Sequence, residues 1–428
     1  AGETQSRWRW VEPEVWTERM LSALEEGVKG GKWYSLMDKV YRLGNLKSAF
    51  ERVKRRKGGP GVDHETIEMY EQNLEANLRK ASEELASGRY KPQAIKRTWI
   101  PKPGSREKRP LGVPTVRDRV VQAALRHVLE PIFEKEFAEQ SYGFRPKRGS
   151  KDALRKVKEL LEAGKHWVVD ADLKSYFDTI PHERLMERVD ERVSDGRVIG
   201  LLREYLKQGV LETMTSWIPE EGTPQGAVIS PLLSNIYLNE LDHKMEELGY
   251  EMVRYADDFV ILCRSQEEAE EAQREVSKWT AEAGLKLHPE KTRIVDARLE
   301  KVGFDFLGYH FERGLKWPRT KSLKKYKDTI RAKTKRNNGR SLKVIIEDVN
   351  RTTRGWFEYF KHSHRTTFKP LDGYIRRRLR TILRRRRGRK GKGRTLRDHV
   401  RWPNAFFTEQ GLLTLEAAYA EALQSSKR

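Results

Sequence analysis

The sequence predicts an α+β chain: an antiparallel sheet flanked by helices, then helical regions of rising basicity. Three observations carry this. MVRYADDFVILC, Met252 to Cys263, holds two apolar runs either side of Asp257 and Asp258, which reads as paired strands joined by a tight turn. HWVVDAD contains a short aromatic and β-branched run, Trp167 to Val169, leading to Asp170 and Asp172. From about Gly314 the composition shifts to Lys and Arg on helical periodicity.

The 428 residues allow several domains and a sizeable core. Lys and Arg number 86 against 63 Asp and Glu, a net charge of +23 with a pI near 9.8. Such an excess attracts a polyanion, and nucleic acid is the obvious one. No apolar run approaches the roughly 20 residues of a membrane span, so no membrane partner is expected. The single Cys263 lies in an apolar strand, which excludes an intrachain disulfide framework and a Cys-based zinc site. A cytoplasmic location is the expectation.

Taken in order, Pro13 to Val28 reads as a packing helix with Pro13 in its first turn, and a second helix spans about Asn45 to Arg55 until KGGPGVD stops it. Helices continue from Ile67 to Leu85. Ala94 to Leu111 reads as a hairpin with Lys102 and Arg109 on neighbouring strands near its tip, a pair suited to a triphosphate or simply a solvated basic loop. A helix follows over Thr115 to Glu130. SYGFRPKRGS is a basic loop containing Phe144 and Arg145, and Ser150 is placed to cap the next helix.

A carboxylate at the end of a buried strand needs a positive partner, so Asp172 requires a metal or a basic side chain. Phe177 stands five residues beyond and could close the floor of a nucleotide pocket or pack in the core. Gly222, Pro224 and Gly226 make an irregular loop carrying Gln225, and Ser230 followed by Pro231 reads as a helix start. Beyond the Asp-Asp hairpin come a charged helix from Gln266 to Ala283, a loop with Lys291, and a strand pair in Val302 to Phe311. RGWFEYF seats a helix. Tyr374 to Arg397 is the most basic run, and Arg376, Arg377, Arg380, Arg384 and Arg385 are candidates, with Arg145, for nucleic-acid contact. Trp402, Phe406, Phe407, Leu412 and Leu415 mark a small packing unit.

If the strands ending at Asp172 and at Asp257 and Asp258 share a sheet, three carboxylates meet where two hard divalent cations would be held. The basic finger and the TPQG loop would then serve nucleotide polymerisation on a template. IPKPGSREKRPLGVPT, SYGFRP, VVDADLKSYFD, GTPQGAVISPLLSNIYL, RYADDFVIL, LHPEKT and FDFLGY, in this order, resemble the successive blocks of a bacterial group II intron reverse transcriptase and maturase. The resemblance covers roughly Asn45 to Phe311, and RGWFEYF with the basic tail is similar to the family's thumb and DNA-binding regions.

The resemblance implies a right-hand polymerase. Its fingers and palm would fill residues 41–312 after an N-terminal helical extension over 1–40, with a helical thumb or maturase domain at 313–372 and a basic nucleic-acid-binding region at 373–428. It implies Asp172, Asp257 and Asp258 as metal-binding catalytic carboxylates for two Mg²⁺ ions, with Mn²⁺ as a substitute. Lys102 and Arg109 match the residues that hold the incoming dNTP, Phe177 the gate against a ribose 2′-hydroxyl, Gln225 a residue near the templating pair, and Lys291 a Lys that protonates pyrophosphate. The implied partners are an RNA template, a DNA primer, dNTPs, structured intron RNA and target DNA, with oligomeric state left open. Two other roles stay open: a relative domesticated for defence or DNA repair, and a mainly non-catalytic RNA-binding splicing cofactor. With its one Cys far upstream, the chain is expected to lack the Cys- and His-liganded C-terminal nuclease of many relatives.

Overall fold

A computed structural model describes residues 6–101, 108–208, 210–212, 215–217, 223 and 226–425. The chain divides into two compact units, Ala1–Ile294 and Val295–Arg428. The expected boundary after residue 312 lies inside the second unit. It would cut between two strands of one hairpin, β10 (Tyr309–Glu312) and β11 (Leu315–Pro318), which with β9 (Phe304–Phe306) form a three-stranded sheet of the second unit.

In the first unit, β1 (Ile95–Pro101) and β2 (Lys108–Val113) pair antiparallel, and β1 also pairs parallel with β4 (Val210–Glu212), which carries β5 (Thr215–Trp217). The second sheet has the order β6 (Glu251–Tyr255), β7 (Asp258–Cys263), β3 (Trp167–Asp172), β8 (Arg293–Asp296), and the division after Ile294 falls within β8. Its central strands are buried on both faces, which explains why Phe259 to Cys263 is continuously apolar rather than alternating.

The helix Val116–Glu134 runs through the core and is buried over nearly its whole length, with the Thr115 hydroxyl accepting from the Asp118 amide at 3.1 Å. Asp118 is itself internal. It accepts from the Tyr90 hydroxyl at 2.5 Å and from the Gln93 amide at 3.0 Å, so it supports the fold.

Several described residues ahead of 41 pack into this same core. Trp8, Val15, Trp16, Leu24 and Leu36 are buried in it, and the Trp16 indole donates to the His127 carbonyl at 2.9 Å. Removing a buried Trp of this kind costs about 3–5 kcal/mol.

Three expected helix starts are displaced. The helix expected from Pro13 begins at Glu18 with Thr17 as its cap, leaving Pro13 outside. Gly149, not Ser150, caps Ser150–Glu162, and its amide donates to Asp152 at 3.0 Å. Ile229 precedes Ser230–Glu247 without a side-chain cap, because Ser230 already lies within the first turn.

The second unit packs Thr320–Lys333, Leu342–Phe360, Phe368–Arg386 and Leu415–Ser425 around Tyr326, Ile346, Phe357, Phe368, Leu379 and Phe407. The apolar positions of RGWFEYF and the expected C-terminal cluster supply much of that core. Among the described residues, no helix is long and apolar enough to cross a membrane.

Candidate active site

The register of the β6–β7–β3 sheet brings the acidic motifs together. Asp172 at the end of β3 lies opposite Asp258 at the start of β7, and Tyr255 at the end of β6 lies opposite Asp258 on its other side. Directly opposed residues of antiparallel strands point to the same face. Tyr255, Asp258 and Asp172 thus form a row across one end of the sheet.

Ala256 and Asp257 make the two-residue turn between β6 and β7. Ala256 has φ 60°, a value that Gly ordinarily supplies at the first turn position. The Asp257 carbonyl accepts from the Leu173 amide at 3.4 Å, which ties the turn to the segment after β3. Burial pushes the Asp257 carboxyl above the usual carboxylate range. Repulsion from Asp172 adds to this, while Lys291 and Arg254 pull the other way.

Lys291 reaches the row because its loop is laced to β3. Leu173 bridges Leu287, the Lys174 amide donates to the Lys286 carbonyl at 2.8 Å, and the His288 amide donates to the Asp172 carbonyl at 2.8 Å. Lys291 Nζ then forms an ion pair with the Asp172 carboxylate. Among the described residues, no three acidic, His or Cys side chains already converge in a metal cage. The donor set nevertheless fits a hard divalent cation. It is all carboxylate oxygen, the donor chemistry that such a cation takes.

Behind the turn lies a support to which the sequence alone assigned no role. The Arg254 side chain is wholly buried and grips Asp242 through Nε at 2.7 Å and Nη2 at 2.5 Å. Its remaining donors reach Asn235 Oδ1 at 3.0 Å, the Ala256 carbonyl at 2.9 Å and Ser141 Oγ at 2.7 Å. Burial alone would lower the Arg254 pKa, but the Asp242 charge and hydrogen bonds outweigh it and hold it above the ordinary arginine value. The available signal was an Arg inside the apolar run MVRY, a position that demands a buried anion.

The SYGFRP loop belongs to the same brace. Asn235 donates to the Gly143 carbonyl at 2.8 Å, and a Cβ on Gly143 would stand 2.4 Å from the Ala256 nitrogen. Arg145 is committed inward, its guanidinium pairing with Glu134 and donating to the Ala138 and Ser141 carbonyls at 2.6 and 2.9 Å. It pins the loop, which corrects its expected place on a nucleic-acid surface.

Phe177 is half-buried with its ring 5.5 Å from that of Tyr176, and its carbonyl accepts from the Thr223 amide at 2.5 Å. Lys102 and Gln225 lie outside the described residues. Arg109 is described only as a strand residue, with backbone register opposite Ile100.

In the second unit Arg380 is buried, donating to the Trp402 carbonyl and to Asn404 at 2.8 Å each. It holds the small C-terminal helices and is likewise corrected from a surface role. Arg384 pairs with Asp398 at 2.7 Å. Arg376 and Arg377 are half-buried, and Arg385 is exposed.

An acidic row at the end of an antiparallel sheet, with helices packed against it and a basic hairpin ahead of it in sequence, is the arrangement expected of a template-directed nucleotide polymerase. Comparison with known proteins makes this specific. The family described as "Reverse transcriptase (RNA-dependent DNA polymerase)" matches residues 100–311, and "Group II intron, maturase-specific domain" matches residues 323–402. Protein YkfC of Escherichia coli K12 is 38% identical over 293 residues, covering 59% of this chain and 76% of YkfC. Group II intron-encoded protein LtrA of Lactococcus lactis subsp. cremoris is 37% identical over 196 residues, covering 45% of this chain and 32% of LtrA. The putative COX1/OXI3 intron 1 protein of Saccharomyces cerevisiae is 27% identical over 394 residues, covering 77% of this chain and 45% of that protein. The chain spans three quarters of YkfC but only about a third of LtrA. It belongs to the group II intron-type reverse transcriptase and maturase family, with the reverse transcriptase fold and its RNA-directed DNA polymerase activity.

Proposed function

We propose that the chain extends a DNA primer on an RNA template at the opposed Asp172 and Asp258, with Asp257 in the adjoining turn. The observation that carries this is the register of Asp172 opposite Asp258, with Asp257 one residue away in the turn. Two divalent ions, Mg²⁺ by preference, held by these three carboxylates would lower the pKa of the attacking hydroxyl and neutralise charge on the leaving oxygens. The chain's own part is positioning and charge placement. The primer 3′-hydroxyl gives up its proton to solvent and attacks the α-phosphate of a dNTP in line, the bond from the α-phosphorus to the bridging oxygen breaks, and pyrophosphate leaves. Lys291 gives a proton to that leaving group, help that is typically worth about 10²–10⁴ in rate. Lys102 and Arg109 hold the triphosphate, Phe177 closes the floor against a 2′-hydroxyl, and Gln225 lies near the templating pair. Asp258→Ala should abolish extension while leaving RNA affinity largely intact; extension at the normal rate would remove the assignment.

A second activity, binding intron RNA to assist splicing and retrohoming, is favoured by the maturase-specific match over residues 323–402. The half-buried Arg376 and Arg377 and the exposed Arg385 are its candidate phosphate contacts. A splicing assay with Asp258→Ala separates the two, since only synthesis needs the acidic row.

A further inference from the structure

The acidic row continues past Tyr255 to an aromatic ring that none of the chemistry above employs. Phe144 is 42% exposed, and its ring centroid lies 6.4 Å from that of Tyr255. Across the sheet, strands are about 4.8 Å apart, so Asp172 stands roughly 10 Å from Tyr255 along the row. The order along this end of the sheet is therefore Phe144, Tyr255, Asp258, Asp172 and Lys291, with an aromatic at one end and a cation at the other.

Phe144 holds this place against its own backbone preference. Its φ is 59°, in the left-handed region that an aromatic L-residue rarely adopts. The neighbours enforce it. The Tyr142 amide donates to the Arg254 carbonyl at 2.9 Å, Gly143 is pressed against the Ala256 backbone, and Arg145 is locked to Glu134. A turn shaped this way would be filled without strain by Gly or Asn. A large ring is kept there with 42% of its surface still exposed beside Tyr255, so burial alone does not account for it.

We infer that Phe144 is a nucleic-acid-binding residue, its ring stacking on a base or sugar of the primer–template duplex beside the acidic row. This rests on the polymerase function proposed above and adds a contact to it. Aromatic faces take any base, so the contact grips the duplex without reading sequence.

The test is the affinity of the full-length protein for a fluorescent DNA primer annealed to an RNA template, measured without dNTP for Phe144→Gly, Phe144→Ala and Phe144→Trp, with melting temperatures alongside. Losing one stacked base weakens binding roughly 5- to 150-fold. Phe144→Gly should show that loss with no fall in melting temperature, since Gly relieves the left-handed backbone, and Phe144→Trp should bind as the unaltered protein does. In steady-state extension, Phe144→Gly should raise KM for primer–template far more than it lowers kcat. Unaltered affinity in Phe144→Gly, or a melting temperature several degrees lower, would overturn the inference, the latter by showing that the ring serves the fold. Failure of the unaltered protein to extend any primer would instead strike the polymerase function, and the affinity comparison would still decide the stacking role.

Discussion

Replacing Arg254 by Met should separate the cost of a broken buried ion pair from the cost of a displaced catalytic turn. Both Arg254 and Asp242 side chains have no solvent exposure, and the guanidinium makes five hydrogen bonds. Removing one partner leaves Asp242 buried and uncompensated, a loss of about 3–5 kcal/mol. In a unit of this size that lowers the melting temperature by of order 10 °C. The double variant Arg254→Met with Asp242→Leu removes the stranded charge and should recover most of that loss, because well-packed apolar replacements of buried pairs are often neutral. Activity should not recover with it. The bond from Arg254 to the Ala256 carbonyl, 2.9 Å, fixes the turn that carries Asp257, and the double variant lacks it. The assay is paired thermal denaturation and primer extension on the single and double variants, at a temperature where both are folded. A single variant destabilised by less than about 1 kcal/mol, or a double variant with full activity, would refute the reasoning.

His127 is buried beside Arg126 and Arg52, and its pKa is pushed down to about 3, chiefly by burial. The unfolded chain binds this proton below about pH 6.5 and the folded one does not, so stability is full above that pH and declines toward pH 3. At pH 5 the loss should be about 2 kcal/mol, read as the difference between denaturation at pH 7.5 and pH 5.0, and His127→Gln should abolish that share of it. Lys291→Met should lower kcat about 100-fold or more without changing primer–template affinity, whereas a purely structural lysine would leave kcat alone. Gly143→Ala should drive a methyl against the Ala256 backbone and cost both stability and extension, while Gly59→Ala, which meets nothing within 4 Å, serves as the neutral comparison. Changing Arg376, Arg377 and Arg385 together to Gln should flatten the dependence of RNA affinity on salt by about two to three counterions, and an unchanged slope would place the RNA elsewhere.

The hairpin over Met252 to Cys263 was legible because its apolar runs are long, β-rich and separated by a two-residue turn. Asp172 was legible as the end of a β-branched run, and the structure brings it opposite Asp258. What escaped the sequence is what depends on distant partners. Arg145 reads as basic loop chemistry, yet Glu134 lies near enough to draw it inward. Arg380 reads as one of a polybasic face, yet it falls on the helix side packed against Phe407 and Trp402. Charge runs carry no sign of which members are buried. Helix starts slipped by one residue at Ser150 and Ser230, where Gly149 and Ile229 hold the cap positions, because cap preference alone fixes a helix start only to within a residue or two.

The most direct measurement replaces Mg²⁺ by Fe²⁺ in the presence of primer–template and maps where hydroxyl radicals generated at the bound ion cut the backbone. Cuts clustered at residues 170–174 and 255–259 together, and absent from Asp258→Ala, are the result expected of one acidic centre drawn from two separate motifs. Cleavage at only one of these segments, or an unchanged pattern in Asp258→Ala, would contradict it.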